Sequence, residues 1–187
     1  MSPLSNDDWL ALADVARRAI SCAVLERSLP NFPDFTGVLS ERRGAFVSLY
    51  RSATLRGCVG QVENPDALGD VVARSAINAA LNDDRFRPVT ADEIGELEIE
   101  ISVLTAPKRI APQEIVAGRH GLLVAQGAFR GLLLPQVASE RNWTASRFLE
   151  ETCVKAGLAR DAWREPATQI FAFTAEIYSE RKQRELK

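Results

Sequence analysis

The sequence predicts an α+β fold made of two β-β-α-type units, and three observations carry that prediction. Leu97-Glu-Ile-Glu-Ile-Ser-Val103 alternates strictly between apolar and polar residues, the period of a half-buried strand. Two pairs of β-forming runs, 45–50 with 55–62 and 121–125 with 129–134, each lead into a helical pattern. The two pairs also echo one another. Leu55-Arg-Gly-Cys-Val-Gly-Gln-Val62 and Phe129-Arg-Gly-Leu-Leu-Leu-Pro-Gln-Val137 share the order hairpin, Arg-Gly, apolar residues, Gln-Val, helix.

The elements follow in order. Leu4-Ser5-Asn6-Asp7-Asp8-Trp9 predicts a helix start, with Ser5 as cap, Asp8 three residues on and Leu4 stapled to Trp9. Leu12, Val15, Ala16, Ala19, Ile20, Ala23 and Val24 continue at helical spacing, with Cys22 half-buried on the flank of that stripe. Pro30 and Pro33 mark 31–36 as a surface loop. Ala45–Tyr50 is the first strand, Arg51-Ser-Ala-Thr54 the turn, and Leu55 begins the return. That turn lacks the Gly or Asn a tight hairpin prefers.

Asn64-Pro65 predicts the next helix start, with Asn64 as cap and Pro65 at the first helical position. Asp66 and Asp70 favour its positive end, and Leu68, Val71, Val72, Ser75, Ala76, Ala79 and Ala80 form its buried face. Thr90-Ala-Asp-Glu93 reads as a second capping box, serving a short turn that Gly95 ends. The alternating strand comes next, with Leu97, Ile99, Ile101 and Val103 inward, and 106–112 reads as a linker between two prolines. The second hairpin turns at Gln126-Gly127-Ala128. Thr144 then caps a helix stapled by Trp143 and Phe148 and stopped by Gly157, with Cys153 at the edge of its stripe. Ile170–Tyr178 predicts the last strand, with Phe171, Phe173, Ala175 and Ile177 on one side, and Arg181-Lys-Gln-Arg184 a solvated tail.

At 187 residues the chain suits one domain or two small lobes, and it can bury roughly two-thirds of its unfolded surface without a disulfide or metal. A net charge of −2 gives no electrostatic reason to expect nucleic acid or an anionic membrane. Cys22, Cys58 and Cys153 are odd in number and lack CxxC spacing, so they read as reduced thiols of a cytoplasmic protein. With His120 as the only histidine no zinc site is expected, and no cofactor or metal is predicted. No secretory signal and no membrane-spanning apolar run are expected either.

The chemistry concentrates around Cys58. Gly57 and Gly60 permit close approach of a ligand to the backbone, and Arg56 lowers the thiol pKa if the two groups converge. On a regular strand residues 56 and 58 share a face. The structural alternative is a small buried cysteine placed where bulk would clash. Glu98 and Glu100 share the polar face of their strand, either as paired carboxylates or as an ordinary solvated sheet face. His120 is an acid, base or hydrogen-bond anchor, or a loop histidine bonded to backbone. Arg130, at the echo position of Arg56, brackets an anion with it or pairs with a carboxylate. Trp143 and Trp163 read as core and staple residues.

Leu55-Arg-Gly-Cys-Val-Gly60 resembles the hallmark hexapeptide of the AMMECR domain family, called AmmeMemoRadiSam system protein A in prokaryotes, with Val59 where isoleucine is common. The likeness continues in order through Asp84–Pro88, Glu96–Val103, His120-Gly-Leu122, Arg130–Val137 and Lys155–Leu158. It spans nearly the whole chain and implies a single domain over 1–187, with a core of about 8–178 and a polar tail over 179–187. Arg87 departs from the family by standing where a second proline is usual, and the 51–54 turn lacks the acidic or glycine residues often seen there. The resemblance implies mainly antiparallel sheet with helices packed on it, in two unequal lobes with a cleft near the hexapeptide. It also implies a setting beside Memo-like and radical-SAM proteins, and it implies no settled reaction.

Two functional readings follow. In one, Cys58 is a nucleophile or redox thiol, Arg56 tunes it or holds an anion, and Glu98, Glu100 or His120 moves protons, with Gly57, Gly60 and Arg130 contacting an unidentified small ligand. In the other, the first hairpin is a non-catalytic docking surface for a Memo-like or radical-SAM partner.

Overall fold

The computed structural model describes residues 3–28, 31–32 and 34–181. The chain divides into two compact units, one of Met1–Leu104 with Glu176–Lys187 and the other of Thr105–Ala175. The predicted α+β class is found in both, since each pairs a four-stranded sheet with helices.

In the first unit the elements are α1 (Asn6–Ser21), β1 (Ala45–Arg51), β2 (Thr54–Gln61), α2 (Leu68–Leu81), β3 (Glu98–Leu104) and β8 (Ala175–Ser179). Ser5 caps α1 with the full box: its hydroxyl accepts from Asp8 N–H, and the Asp8 carboxylate accepts from Ser5 N–H at 2.9 Å. The sheet order is β2-β1-β3-β8, and β1 runs antiparallel to both β2 and β3. Val47, Leu49, Ile99 and Ile101 point from one face into the helices, each fully buried or nearly so and each stabilising by about 2 kcal/mol. Trp9 of α1 stacks on Tyr178 of β8, with centroids 5.9 Å apart.

The second unit holds β4 (Lys108–Arg109), β5 (Gly121–Gln126), β6 (Phe129–Leu133), α3 (Pro135–Glu140), α4 (Ala145–Lys155) and β7 (Gln169–Phe173). Its order is β4-β7-β5-β6, and every neighbouring pair is antiparallel. Leu122, Val124, Ile170 and Phe148 sit at the centre of its core. Thr144 caps α4 by accepting from Arg147 N–H. Gly157 ends it at φ +77°, with Leu158 N–H donating to Cys153 O and Gly157 N–H to Val154 O, the paired bonds of a Schellman stop.

Several expectations are corrected. Helix α2 begins at Leu68 rather than Pro65, because Asn64 Oδ1 accepts from Asp66 N–H in a local turn instead of capping a helix. Gly95 lies inside a 3₁₀ turn over Ile94–Glu96 and does not end it. The stretch read as a linker contains β4, which pairs with β7. Gln136-Val137 lies inside α3, whereas Gln61 ends a strand, so the echo stops at the apolar residues. The last predicted strand is two strands that join different sheets. Their buried residues are Ile170, Ala172, Phe173, Tyr178 and Ser179, while Ile177 is exposed. Cys153 is fully buried rather than at a stripe's edge. Ser179 and Glu180 are no tail: Ser179 is buried in β8, and Glu180 accepts from Ile99 N–H at 2.8 Å and from Arg17 Nε at 2.9 Å. Pro30, Pro33 and residues 182–187 of the predicted loop and tail lie outside the described residues.

The first hairpin turns on two residues, Ser52 at φ +49° and Ala53 at φ +61°. A two-residue turn with both centres left-handed matches strand twist but costs a side-chain-bearing residue about 1 kcal/mol per position. Ala53→Gly is therefore expected to stabilise the protein by about 1 kcal/mol, measured by urea unfolding. An unchanged or lower midpoint would contradict this account of the turn.

Candidate functional site

Register explains the hexapeptide. Leu49 pairs with Gly57 but Tyr50 pairs with Leu55, so Arg56 is an extra residue in β2 and forms a bulge. A bulge re-aims its side chain, and the regular-strand expectation for residues 56 and 58 fails here for that reason. Arg56 forks onto Glu93, Nε to Oε1 and Nη2 to Oε2, both at 2.9 Å. Its Nη1 also donates to Arg87 O at 2.7 Å and Nη2 to Pro88 O at 3.2 Å. The Arg56 hydrogen bonds hold the Glu93 carboxyl down to about 2. Arg56 is thus the anchor of the 87–93 loop.

Cys58 lies on the edge strand of its sheet. Its backbone groups turn away from β1 and are capped: Cys58 N–H donates to Asp83 Oδ2 at 2.8 Å, and Arg85 Nη2 donates to Cys58 O at 3.2 Å. Arg85 and Asp83 pair at 2.7 Å, and that bond first holds the Asp83 carboxyl at about 2. An ion pair thereby covers backbone that would otherwise be an open edge.

The thiol projects from the sheet face opposite the helices. Ser48 stands directly across from it, Ser48 Oγ lies 3.2 Å from Sγ, and Glu100 stands across from Ser48 on the other side. Cys58, Ser48 and Glu100 therefore form one cross-strand row, with Tyr50 and Glu98 opposite each other one step along. Burial pushes the Cys58 thiol up, with Asp83 and Glu100 adding to the rise, against smaller pulls downward from Ser48 and Arg85. The cation beside the thiol is Arg85.

Gly57 and Gly60 serve packing. A Cβ on Gly57 would lie 2.0 Å from Ala79 O of α2, and one on Gly60 would lie 2.3 Å from Ala45 O. Gly131, the echo of Gly57, meets α4 in the same way, at 2.2 Å from Ala156 N. Arg130 and His120 belong to the second unit, apart in sequence and sheet from the Cys58 row. Arg130 is exposed on β6, opposite Ala125, in a regular register with no bulge. His120 is pinned to backbone, its ring Nδ1 accepting from Val116 N–H at 3.2 Å and its backbone N–H donating to Val116 O at 3.0 Å.

Sequence reasoning missed Ser48, Asp83, Arg85 and Glu93. Arg85 lies inside the Asp84–Pro88 stretch and Asp83 directly before it, so both were within reach. Ser48 needed the strand register, and Glu93 carried only a capping signal.

The AMMECR1 family model matches residues 13–178. A protein of Methanothermobacter thermautotrophicus is 41% identical over 187 residues, covering 96% of this chain and 97% of its own length. One of Thermococcus kodakarensis is 40% identical, covering 94% and 92%. The crystal structure of an uncharacterized protein from Pyrococcus horikoshii superposes with a TM-score of 0.86 at 40% identity, over 91% of this chain and 90% of that one.

Two outcomes are expected. Gly57→Ala and Gly131→Ala each destabilise by about 3 kcal/mol in denaturant unfolding, because the added methyl meets helix backbone that cannot give way. A loss below about 1 kcal/mol would show that the helix is free to move off the strand. In a variant lacking Cys22 and Cys153, alkylation of Cys58 has its pH midpoint above the ordinary thiol range of about 8.5, since a raised pKa leaves less thiolate at any given pH. A midpoint near neutrality would contradict the burial argument.

Proposed function

We propose that this chain, which belongs to the AMMECR1 family, is a non-catalytic docking module of the AmmeMemoRadiSam system, and that its partner is the Memo-like or the radical-SAM protein. One observation carries the reading: the charged groups of the hexapeptide region are committed to holding the fold. Arg56 is spent on Glu93 and two carbonyls, and the Cys58 thiol is pushed up by burial. A nucleophilic thiol needs the opposite shift.

The loop that caps β2 supplies the recognition chemistry. Asp84, Arg85 and Arg87 are exposed around half-buried Phe86, and the Arg85 guanidinium lies 5.3 Å over the Phe86 ring. Arginine and aromatic side chains on a pre-ordered support are the residue types that anchor protein interfaces. The competing reading, Cys58 as nucleophile or redox thiol, draws on the Ser48 hydroxyl at 3.2 Å and the Glu100 row beside it.

Binding of the purified chain to each of the two proteins from the same organism, measured by biolayer interferometry, separates these readings. Docking predicts that one of them binds, that Arg85→Glu with Phe86→Ala weakens binding at least tenfold, and that Cys58→Ser leaves it within about twofold. Binding to neither protein would overturn the proposal. Intact binding together with loss of cellular function in Cys58→Ser would transfer the weight to thiol chemistry.

A further inference from the structure

The second unit carries a cleft of about 330 Å³ at the β4 edge of its sheet, separate from the hexapeptide, with Lys108, Arg109, His120 and Thr174 on its walls. Its floor is apolar, formed by Ile110 and the buried Phe173. The volume falls in the range of small-molecule sites. We propose that this cleft binds a small organic oxyanion, a phosphate or carboxylate carried on an apolar body.

Charge, donors and an apolar floor argue for it. Lys108 and Arg109 are exposed on a two-residue strand, and neither is in an ion pair among the described residues. Among the described residues no carboxylate lines the cleft, so an entering anion meets no like charge from these walls.

The histidine adds a fixed donor. Because Nδ1 of His120 accepts from Val116 N–H at 3.2 Å, the neutral ring carries its proton on Nε2, a donor for an oxyanion. Burial, and then Arg119 beside it, push the His120 pKa down, and an anion arriving in the cleft offsets part of that cationic field. At the cleft's end the backbone is already satisfied: Thr105 N–H donates to Thr174 O at 2.9 Å and Thr174 N–H to Thr105 Oγ1 at 2.9 Å. The Thr174 hydroxyl itself lies 3.3 Å from Thr105 Oγ1, which keeps it on the wall.

The apolar floor decides the body of the ligand. Phe173 is buried, so the accessible apolar surface of the cleft comes from Ala106 and half-buried Ile110. A bare inorganic ion would leave that surface wet, whereas a ligand with a ring or short alkyl group covers it. Each buried CH₂ is then worth about 0.8 kcal/mol.

His120 is the only histidine in the chain, so its ring protons report on the cleft alone. The experiment titrates phenyl phosphate into the full chain and follows the His120 Hε1 signal by NMR. The expected result is a saturable shift together with a rise in the ring's titration midpoint. Phenyl phosphate should bind at least tenfold tighter than inorganic phosphate, and phenol should give no effect. Lys108→Ala with Arg109→Ala should weaken the response at least tenfold, while Lys155→Ala, elsewhere in the same unit, should leave it unchanged. Both cleft positions are exposed, so thermal unfolding of the double variant checks that it stays folded. Benzoate matching phenyl phosphate would assign carboxylates to the site, and weaker benzoate binding would assign phosphate esters. The proposal is overturned by the absence of a saturable shift at tens of millimolar, by an unchanged response in the double variant, or by phenol acting as well as phenyl phosphate. Equal affinity for inorganic phosphate would overturn the apolar body.

Discussion

Helix backbone rests directly on the second strand of each hairpin, and this contact dictates the glycine of the Arg-Gly step in both units. At Gly57 the carbonyl of Ala79 occupies the space of a side chain, and at Gly131 the amide of Ala156 does so. Such an approach admits only glycine, and it sets how closely α2 and α4 cover their sheets. The small residues Ala76, Ala79 and Ala80 on the buried face of α2 serve the same closeness from the helix side. The two halves of the chain thus solve one packing problem in the same way, whatever separates their surfaces.

The position of α2 carries further consequences. The helix ends at Leu81, so Asp83 and Arg85 emerge beside the edge of β2 and cap the backbone of Cys58. The loop then returns to Glu93, which Arg56 holds from the bulge. One loop is therefore pinned at two points of a single strand, and both pins are ionised carboxylates held near 2. Their folded-state values lie below the ordinary carboxylate range. The stability they contribute is therefore present above that range and is lost as pH falls toward 2. Arg56 and Arg85 exchange the roles that spacing alone would assign: the adjacent arginine supports a loop, and the distant one stands by the thiol.

What the sequence made legible was local. The Ser5 and Thr144 caps, the Gly157 stop, the two hairpins and the inward residues of β3 all rest on interactions within a few residues, and all are found. The misreadings arise where tertiary pairing overrides a local pattern. Asn64-Pro65 has the chemistry of a helix start but closes a turn, and α2 begins three residues after Pro65 without a side-chain cap. Residues 170–178 alternate as one strand would, yet the chain leaves one sheet and enters the other at Thr174. The site was legible only in part. Cys58 and Glu100 fall on one row, but the Ser48 between them is visible only once β1 is in register with both neighbours. No periodicity announces a one-residue bulge, so the direction of Arg56 was not available from spacing.

Arg56 is required by Glu93 and two carbonyls, Gly57 by the carbonyl of Ala79, and Gly60 by the backbone of β1 at Ala45. Packing or hydrogen bonding therefore accounts for three of the six residues of Leu55-Arg-Gly-Cys-Val-Gly60 before any ligand is considered. The side chain of Cys58 is what remains for function, and it faces away from the helix core with a serine hydroxyl on its sulfur. A hexapeptide built this way marks a fold first. Its chemistry, where there is any, has to come from what lies across the row from that thiol and from the loop that caps it.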